Sequence, residues 1–166
     1  MVYSSSFLSV CAQWEALLEE IIFEAVCGQM SRRRQNRRLV EIKNRAHLRA
    51  LLLYPGKSYL SINGIKQAEE LASLFVASGA PFSAVAAQNR TYIQQAGWIR
   101  NAIAHQSKYA IERFRRDVPG VGTLPTPKRF PGPFLRHEFR VAPAQRRYEI
   151  YFWAYQSAAR EVAEAW

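Results

Sequence analysis

Cysteine is scarce in this chain of 166 residues, which contains only Cys11 and Cys27. Both fall on one predicted helix, where a rise of about 1.5 Å per residue would hold them about 24 Å apart. An intrachain disulfide is excluded there, because bridged cysteines need Cα atoms within about 7 Å of each other. We interpret both as small buried apolar residues, in agreement with a reducing cytoplasm, where we expect the protein to act.

Groups that would hold a metal, a nucleotide phosphate or a membrane are also missing from the sequence. No set of His, Cys, Asp and Glu residues has the spacing of metal ligands, so we expect no metal and no other cofactor. Gly56-Lys57-Ser58 matches the end of a phosphate-binding loop, but Leu51 stands where such a loop needs its first glycine. Apolar runs are too short to span a bilayer and the first residues do not form a signal peptide, so we expect no membrane partner.

Acidic residues are few: 13 Asp and Glu stand against 23 Lys and Arg, giving a formal charge of +10. This excess draws polyanions toward the protein, and by charge alone it would attract RNA, DNA and anionic membrane surfaces. The most concentrated charge is an arginine cluster of five residues, Arg32, Arg33, Arg34, Arg37 and Arg38. It would contact several phosphates without reading bases, or it would form a solvated loop between helices. The sequence leaves both interpretations open.

Apolar residues recur at spacings of three and four along most of the chain, which is typical of amphipathic helices. A hydrophobic content of 49% is enough for a buried core, so disorder is not expected. A capping box at Thr91-Tyr92-Ile93-Gln94 predicts the start of one helix, and Ser107 is a suitable cap for the next. Further helices are predicted over residues 3–27, 39–53, 63–78 and 144–166. The sequence therefore predicts an all-α fold.

Proline is concentrated between Val118 and Pro143, where six of the eight prolines fall. Such a stretch is not expected to form a helix or a central strand, so we predict an extended arm. Basic and aromatic residues alternate in it, either to bind single-stranded nucleic acid or to pin the arm to the domain. We predict a helical domain at residues 1–117, the arm at 118–143, and a C-terminal helix at 144–166 that packs on the same domain or across a dimer.

The stretch with the clearest chemistry is Arg100-Asn101-Ala102-Ile103-Ala104-His105. An imidazole exchanges protons near neutral pH, and a nearby guanidinium holds the negative charge of a phosphate. This pair suits RNA cleavage without a metal, in which a 2′-hydroxyl is deprotonated, the leaving 5′-oxygen is protonated and charge builds up on the phosphorane. The alternative is that Arg100 and His105 merely terminate a helix, since helix ends favour cations.

This stretch resembles the signature of the HEPN superfamily, an Arg and a His four to six residues apart with a polar residue, often Asn, directly after the Arg. The match includes the apolar Ile99 before Arg100, and the similarity, closest to the RiboL-PSP-HEPN type, covers roughly residues 3–118. The resemblance implies an HEPN-like helical bundle that pairs with a second copy to form a composite active site. It also implies a metal-independent endoribonuclease. In it His105 would be the general acid or base, Arg100 the phosphate and transition-state anchor, and Asn101 a hydrogen-bonding residue that orients either the phosphate or His105.

Many proteins of this superfamily are toxins or defence effectors, so the resemblance also implies a possible antitoxin or other regulatory partner. Some of these toxins carry a regulated Tyr two residues after the His, whereas this chain has Ser107 there. We expect the arginine cluster to contact RNA phosphates, and Lys108 and Arg113 to bind the phosphates that flank the cleaved bond.

Arg100 and His105 are five residues apart, so on an ideal helix at about 100° per residue they would point about 140° apart. They can act together only if the helix breaks between them or if a second copy supplies one of them. Two other functions remain open, a non-catalytic RNA-binding or protein-interaction module and a basic helical DNA-binding protein.

Overall fold

The computed structural model describes residues 2–27, 39–53, 62–141 and 143–165, without the side chains of residues 140 and 141. This part of the chain is mostly helical, so the predicted all-α fold is confirmed. The helices are α1 (Val2–Cys27), α2 (Arg45–Leu52), α3 (Ile65–Ser73), α4 (Ala87–His105), α5 (Lys108–Asp117), α6 (Pro131–Arg136) and α7 (Arg147–Ala165). Strands β1 (Glu138–Val141) and β2 (Ala144–Arg146) form an antiparallel hairpin. Within the described ranges, no helix combines the length and apolar content needed to cross a membrane.

The chain divides into two compact units. The first unit contains Met1–Gln13 and Gln88–Ser157, and the second contains Trp14–Ala87 and Ala158–Trp166. The helices α1 and α7 therefore contribute residues to both units. The candidate catalytic residues all belong to the first unit.

The second unit is built on the later part of α1 together with α2 and α3, whose buried faces include Leu18, Leu48 and Ala68. The helix α2 is shorter than predicted, because Asn44 caps it and accepts a hydrogen bond from the backbone of His47 at 2.9 Å. The helix α3 also ends early, at Ser73 instead of residue 78. Beyond it the backbone becomes extended at Val76, with a φ of −129° and a ψ of 133°, and the carbonyl of Phe75 accepts a hydrogen bond from the backbone N–H of Leu39 at 2.8 Å.

Three acidic residues of α1 make ion pairs within the second unit. Arg45 of α2 contacts Glu20 at 2.8 Å and also pairs with Glu24, and Arg49 contacts Glu19 at 3.1 Å. These carboxylates therefore serve helix packing. Among the described residues, no group of three or more His, Cys, Asp or Glu is placed to hold a metal ion.

Aromatic side chains dominate the core of the first unit. Phe7, Phe114 and Phe134 are fully buried, and the rings of Phe114 and Phe134 meet edge to face with centroids 5.4 Å apart. Burial of each such ring contributes about 2–3 kcal/mol, and edge-to-face geometry adds to that. Phe134 belongs to the proline-rich segment, so this segment is packed against α5.

The prediction that residues 118–143 contain no helix is wrong, because α6 spans Pro131–Arg136. Pro131 is the first helical residue, where the missing N–H would have no intrahelical partner and the fixed φ of proline already suits a helix. The segment also contributes β1 to the hairpin. Proline thus marks the start of a short helix here and does not prevent it.

Candidate active site at the end of helix α4

The helix α4 carries Arg100, Asn101 and His105 on its last two turns. It begins at Ala87, so the predicted start at Thr91 is wrong and the capping-box residues lie inside the helix. Its apolar side, including Ile93, Ala96 and Ile99, is buried and fixes the rotation of the helix. Asn101 and His105 are exposed and Arg100 is half-buried, so all three are accessible to a ligand.

The helix continues without a break from Arg100 to His105. The break that would bring the two side chains together within one chain is therefore absent. At about 100° per residue, the two residues point about 140° apart around the helix. They flank an exposed surface whose middle is formed by Asn101 and Ala104. One chain presents its cation and its imidazole at opposite edges of this surface.

Arg100 and Asn101 are in direct contact. The Nη1 of Arg100 donates a hydrogen bond to the Oδ1 of Asn101, with the two atoms 3.0 Å apart. In this contact the carboxamide orients the guanidinium of Arg100. The two orienting roles predicted for Asn101, on the phosphate or on His105, stay predictions.

His105 lies at the corner between α4 and α5. Gln106 follows it with a φ of 49°, a left-handed conformation that ends many helices. Ser107 then caps α5 as predicted, since its Oγ accepts a hydrogen bond from the backbone of Ala110 at 3.2 Å. A two-residue connection between capped helices holds His105 at a defined position.

The two predicted phosphate contacts on α5 differ in their surroundings. Lys108 is exposed and lies 3.9 Å from a carboxylate oxygen of Glu112. Arg113 donates to the hydroxyl of Tyr109 at 3.0 Å and lies 3.4 Å from Asp117. Its guanidinium also covers the ring of Trp98 on α4, 5.6 Å from the ring centroid. Arg113 therefore links α5 to α4, whereas Lys108 is exposed enough to contact a phosphate.

The arginine cluster, with Arg32, Arg33, Arg34, Arg37 and Arg38, lies outside the described residues. Its predicted role in RNA binding stays a prediction.

His137 follows α6, and its ring is partly buried. Its Nδ1 is enclosed and has no hydrogen-bond partner among the residues that the structure describes. Burial lowers the pKa of this imidazole, and the positive charges of Lys128 and Arg147 lower it further, against a smaller opposite effect of Glu138. Partial burial is typical of a packing histidine, and none of the hydrogen bonds within the described part of the chain joins His137 to Arg100, Asn101 or His105.

Sequence reasoning missed an open groove beside the C-terminal end of α4, with a volume of about 590 Å³. Ala102, Ile103 and Gln106 form one wall, the first turns of α1 form another, and Phe130 with the start of α6 forms a third. These three segments are far apart in sequence. The only available signal was the alternation of basic and aromatic residues in the proline-rich segment, which did not indicate which aromatic ring would be exposed.

Comparison of the chain with known proteins gives no match to a protein-family model, to a curated protein or to a solved structure.

Proposed function

We propose that this protein is a metal-independent endoribonuclease of the HEPN type that acts as a homodimer. The observation that carries this proposal is the accessible placement of a guanidinium, a carboxamide and an imidazole on the last two turns of α4. Side chains that serve only the packing of a helix would be buried. The net charge of +10 supports a polyanionic substrate.

The reaction needs proton transfer and charge stabilisation. The 2′-oxygen of a ribose attacks the adjacent phosphorus as its proton is removed, and the bond from phosphorus to the 5′-oxygen breaks as that oxygen gains a proton. The products are a 2′,3′-cyclic phosphate and a 5′-hydroxyl. His105 acts as general acid or base, while Arg100 stabilises the charge on the phosphorane oxygens and Asn101 orients Arg100.

The unbroken helix supports a site made from two copies. Because Arg100 and His105 of one chain point about 140° apart, a phosphate close to one imidazole is better placed to meet the guanidinium of a second copy. If two copies pair through the exposed surface between Arg100 and His105, with the two-fold axis along α4, the Arg100 edge of one copy meets the His105 edge of the other. The second copy thus completes the site.

A role as a toxin or defence effector is part of the same proposal and rests on the resemblance of the motif. A regulatory partner would have to control the protein in some way other than modification of a Tyr two residues after His105, because Ser107 occupies that position and caps α5.

The test is incubation of the purified protein with a labelled single-stranded RNA in excess EDTA, followed by analysis of the product ends. We expect cyclic phosphates from the wild type and no cleavage of DNA of the same sequence, which lacks the attacking 2′-hydroxyl. His105→Ala should lower the rate about 10²- to 10⁴-fold and Arg100→Ala about 10²- to 10³-fold, as expected for loss of an acid or base and of a charge-stabilising donor.

His47→Ala in α2 is the matched control, because it removes an imidazole from the second unit and should leave the rate unchanged. Cleavage that survives His105→Ala would overturn the assignment. RNA binding without products, unaffected by His105→Ala, would show that the protein is a binding module and not an enzyme.

A further inference from the structure

The groove beside α4 adjoins the proposed catalytic residues. Ala102, Ile103 and Gln106 line it, and these positions surround His105 in the sequence. Because Gln106 directly follows His105 and lines the groove, a nucleotide next to a phosphate held at His105 has the groove within reach. Its volume of about 590 Å³ is in the range of small-molecule sites and is large enough for one nucleoside.

Phe130 is an unusual component of this groove because 46% of its surface is exposed, whereas nearby Phe134 is fully buried. The guanidinium of Arg115 lies over the Phe130 ring, 5.2 Å from its centroid, and donates to the backbone carbonyl of Arg129 at 3.4 Å. Arg115 does not line the groove. It therefore positions an aromatic ring at the groove without filling it.

The polar groups of the groove suit a base with an attached phosphate. Ser4 and Gln106 carry a hydroxyl and an amide group among the lining residues, and Arg136 carries a positive charge. Among the described residues that line the groove, none is a carboxylate. An aromatic platform, neutral hydrogen-bonding groups and a cation form the combination that single-stranded nucleic acid binders use.

We propose that this groove binds one unpaired nucleobase of an RNA strand, stacked on Phe130, next to the phosphate held at His105. The inference rests on the proposed function for the identity of the strand, and it adds a preference for single-stranded substrate. Duplex RNA keeps its bases stacked inside the helix, so it cannot place one on Phe130.

Binding is measured in the His105→Ala background, where cleavage does not interfere, by fluorescence anisotropy of a labelled single-stranded RNA. Phe130→Ala should weaken binding about 5- to 150-fold, the range observed for loss of one base-stacking contact, while Phe130→Trp should retain it. Arg136→Gln should weaken binding and reduce its salt dependence by about one phosphate contact. Trp153→Ala is the control, since it removes an aromatic ring that is 71% exposed on α7 and does not line the groove.

A strand with a single abasic position, moved along the sequence, tests stacking directly. With the His105→Ala protein, the strand that has its abasic site at one particular position should bind more weakly. Once Phe130→Ala is added, that abasic site should no longer change the affinity, because both changes remove the same stacking contact. Affinity unchanged by both Phe130→Ala and the abasic position would overturn the inference, as would equal affinity for duplex RNA. Loss of a dimer on Phe130→Ala would also overturn it, since the groove would then be an interface between copies.

Cleavage by the Phe130 variants, tested with His105 intact, separates this inference from the proposed function. If the wild type cuts RNA and Phe130→Ala binds and cuts it equally well, the nuclease stands and the base site is wrong. If the wild type cuts no RNA but binding depends on Phe130 and on the base, the base site stands and the nuclease is wrong.

Discussion

Gly120 is the position where a single methyl group should have the largest predictable effect on the first unit. Its φ is 80°, in the left-handed region that residues with a Cβ avoid. A Cβ placed there would lie 2.9 Å from Nη2 of Arg147 and 3.0 Å from Nη1. These distances are too short, so the guanidinium must move. Its present position is over the ring of Phe134, 4.7 Å from the centroid.

Gly120→Ala should therefore lower the free energy of unfolding through two effects. The left-handed conformation costs Ala about 1–2 kcal/mol, and displacement of the flexible end of Arg147 from Phe134 adds about 0.5–1 kcal/mol. The lower chain entropy of Ala in the unfolded state offsets about 0.5 kcal/mol of this. A net loss of about 2 kcal/mol corresponds to a decrease in Tm of about 4–8 °C for a chain of this size.

Gly122→Ala is the matched control two residues away. A Cβ at Gly122 meets no atom within 4 Å, and its φ is outside the left-handed region. This variant should therefore keep the wild-type Tm or raise it slightly. Equal unfolding temperatures for the two variants, measured by calorimetry or by circular dichroism at 222 nm, would refute the reasoning.

A double-mutant cycle separates the two effects. In the background of Arg147→Ala the collision is gone, so Gly120→Ala should cost only the conformational part. Gly120→Ala should also affect the groove that we propose to bind a nucleobase. Phe134 anchors α6, and the start of α6 lines that groove. RNA affinity should therefore fall with Gly120→Ala and not with Gly122→Ala.

Three further predictions concern the site and its surroundings. Ser107→Ala should lower the free energy of unfolding by about 1 kcal/mol through loss of the α5 cap, which is measured as a lower urea midpoint. Ser107→Asp should restore most of that free energy. Gln106→Gly should raise stability by up to about 1 kcal/mol because it relieves the left-handed φ of 49°, and an unchanged midpoint would contradict this. The pKa of His137 is lowered in the folded chain, so the unfolded chain binds the proton first and stability falls as the pH decreases below about 6.5. His137→Leu should make the urea midpoint less dependent on pH between 7 and 5, and an equal dependence would count against this assignment.

Local sequence signals predicted the helices where the chain itself supplies the cap or the pattern. The apolar spacing of α1 gave its range to within a residue, and Ser107 was identified as the cap of α5. The start of α4 was missed for a reason that is not local. The backbone N–H of Ala86 donates to Oε2 of Glu161 at 2.9 Å, from a residue 75 positions away, and the helix begins directly afterwards. The capping-box residues at Thr91 therefore lie inside α4 and do not mark its start.

The same limit applies to the candidate site. The residue types at Arg100 and His105 were visible in the sequence because they are close together in it. The groove could not be seen in the sequence, because the residues of α1, α4 and α6 that line it come together only in the folded chain. In the proline-rich segment both interpretations of the aromatic residues were reasonable, and burial supports the pinning role for one ring, whereas nucleic-acid binding stays a prediction. Phe134 pins the segment, whereas Phe130 stays exposed.

The unbroken helix between Arg100 and His105 leads to a test of the two-copy site that no single variant provides. If each site takes Arg100 from one copy and His105 from the other, a dimer of one Arg100→Ala chain and one His105→Ala chain contains one intact site and one site lacking both groups. Equal amounts of the two inactive variants, mixed so that chains exchange, form such mixed dimers in about half of all pairs, so RNA cleavage should return to about a quarter of the wild-type rate. A mixture of His105→Ala with His47→Ala provides the control, because its active chains show how much activity survives exchange. If the two inactive variants stay inactive together while this control mixture is active, the pairing of Arg100 and His105 across two copies is wrong.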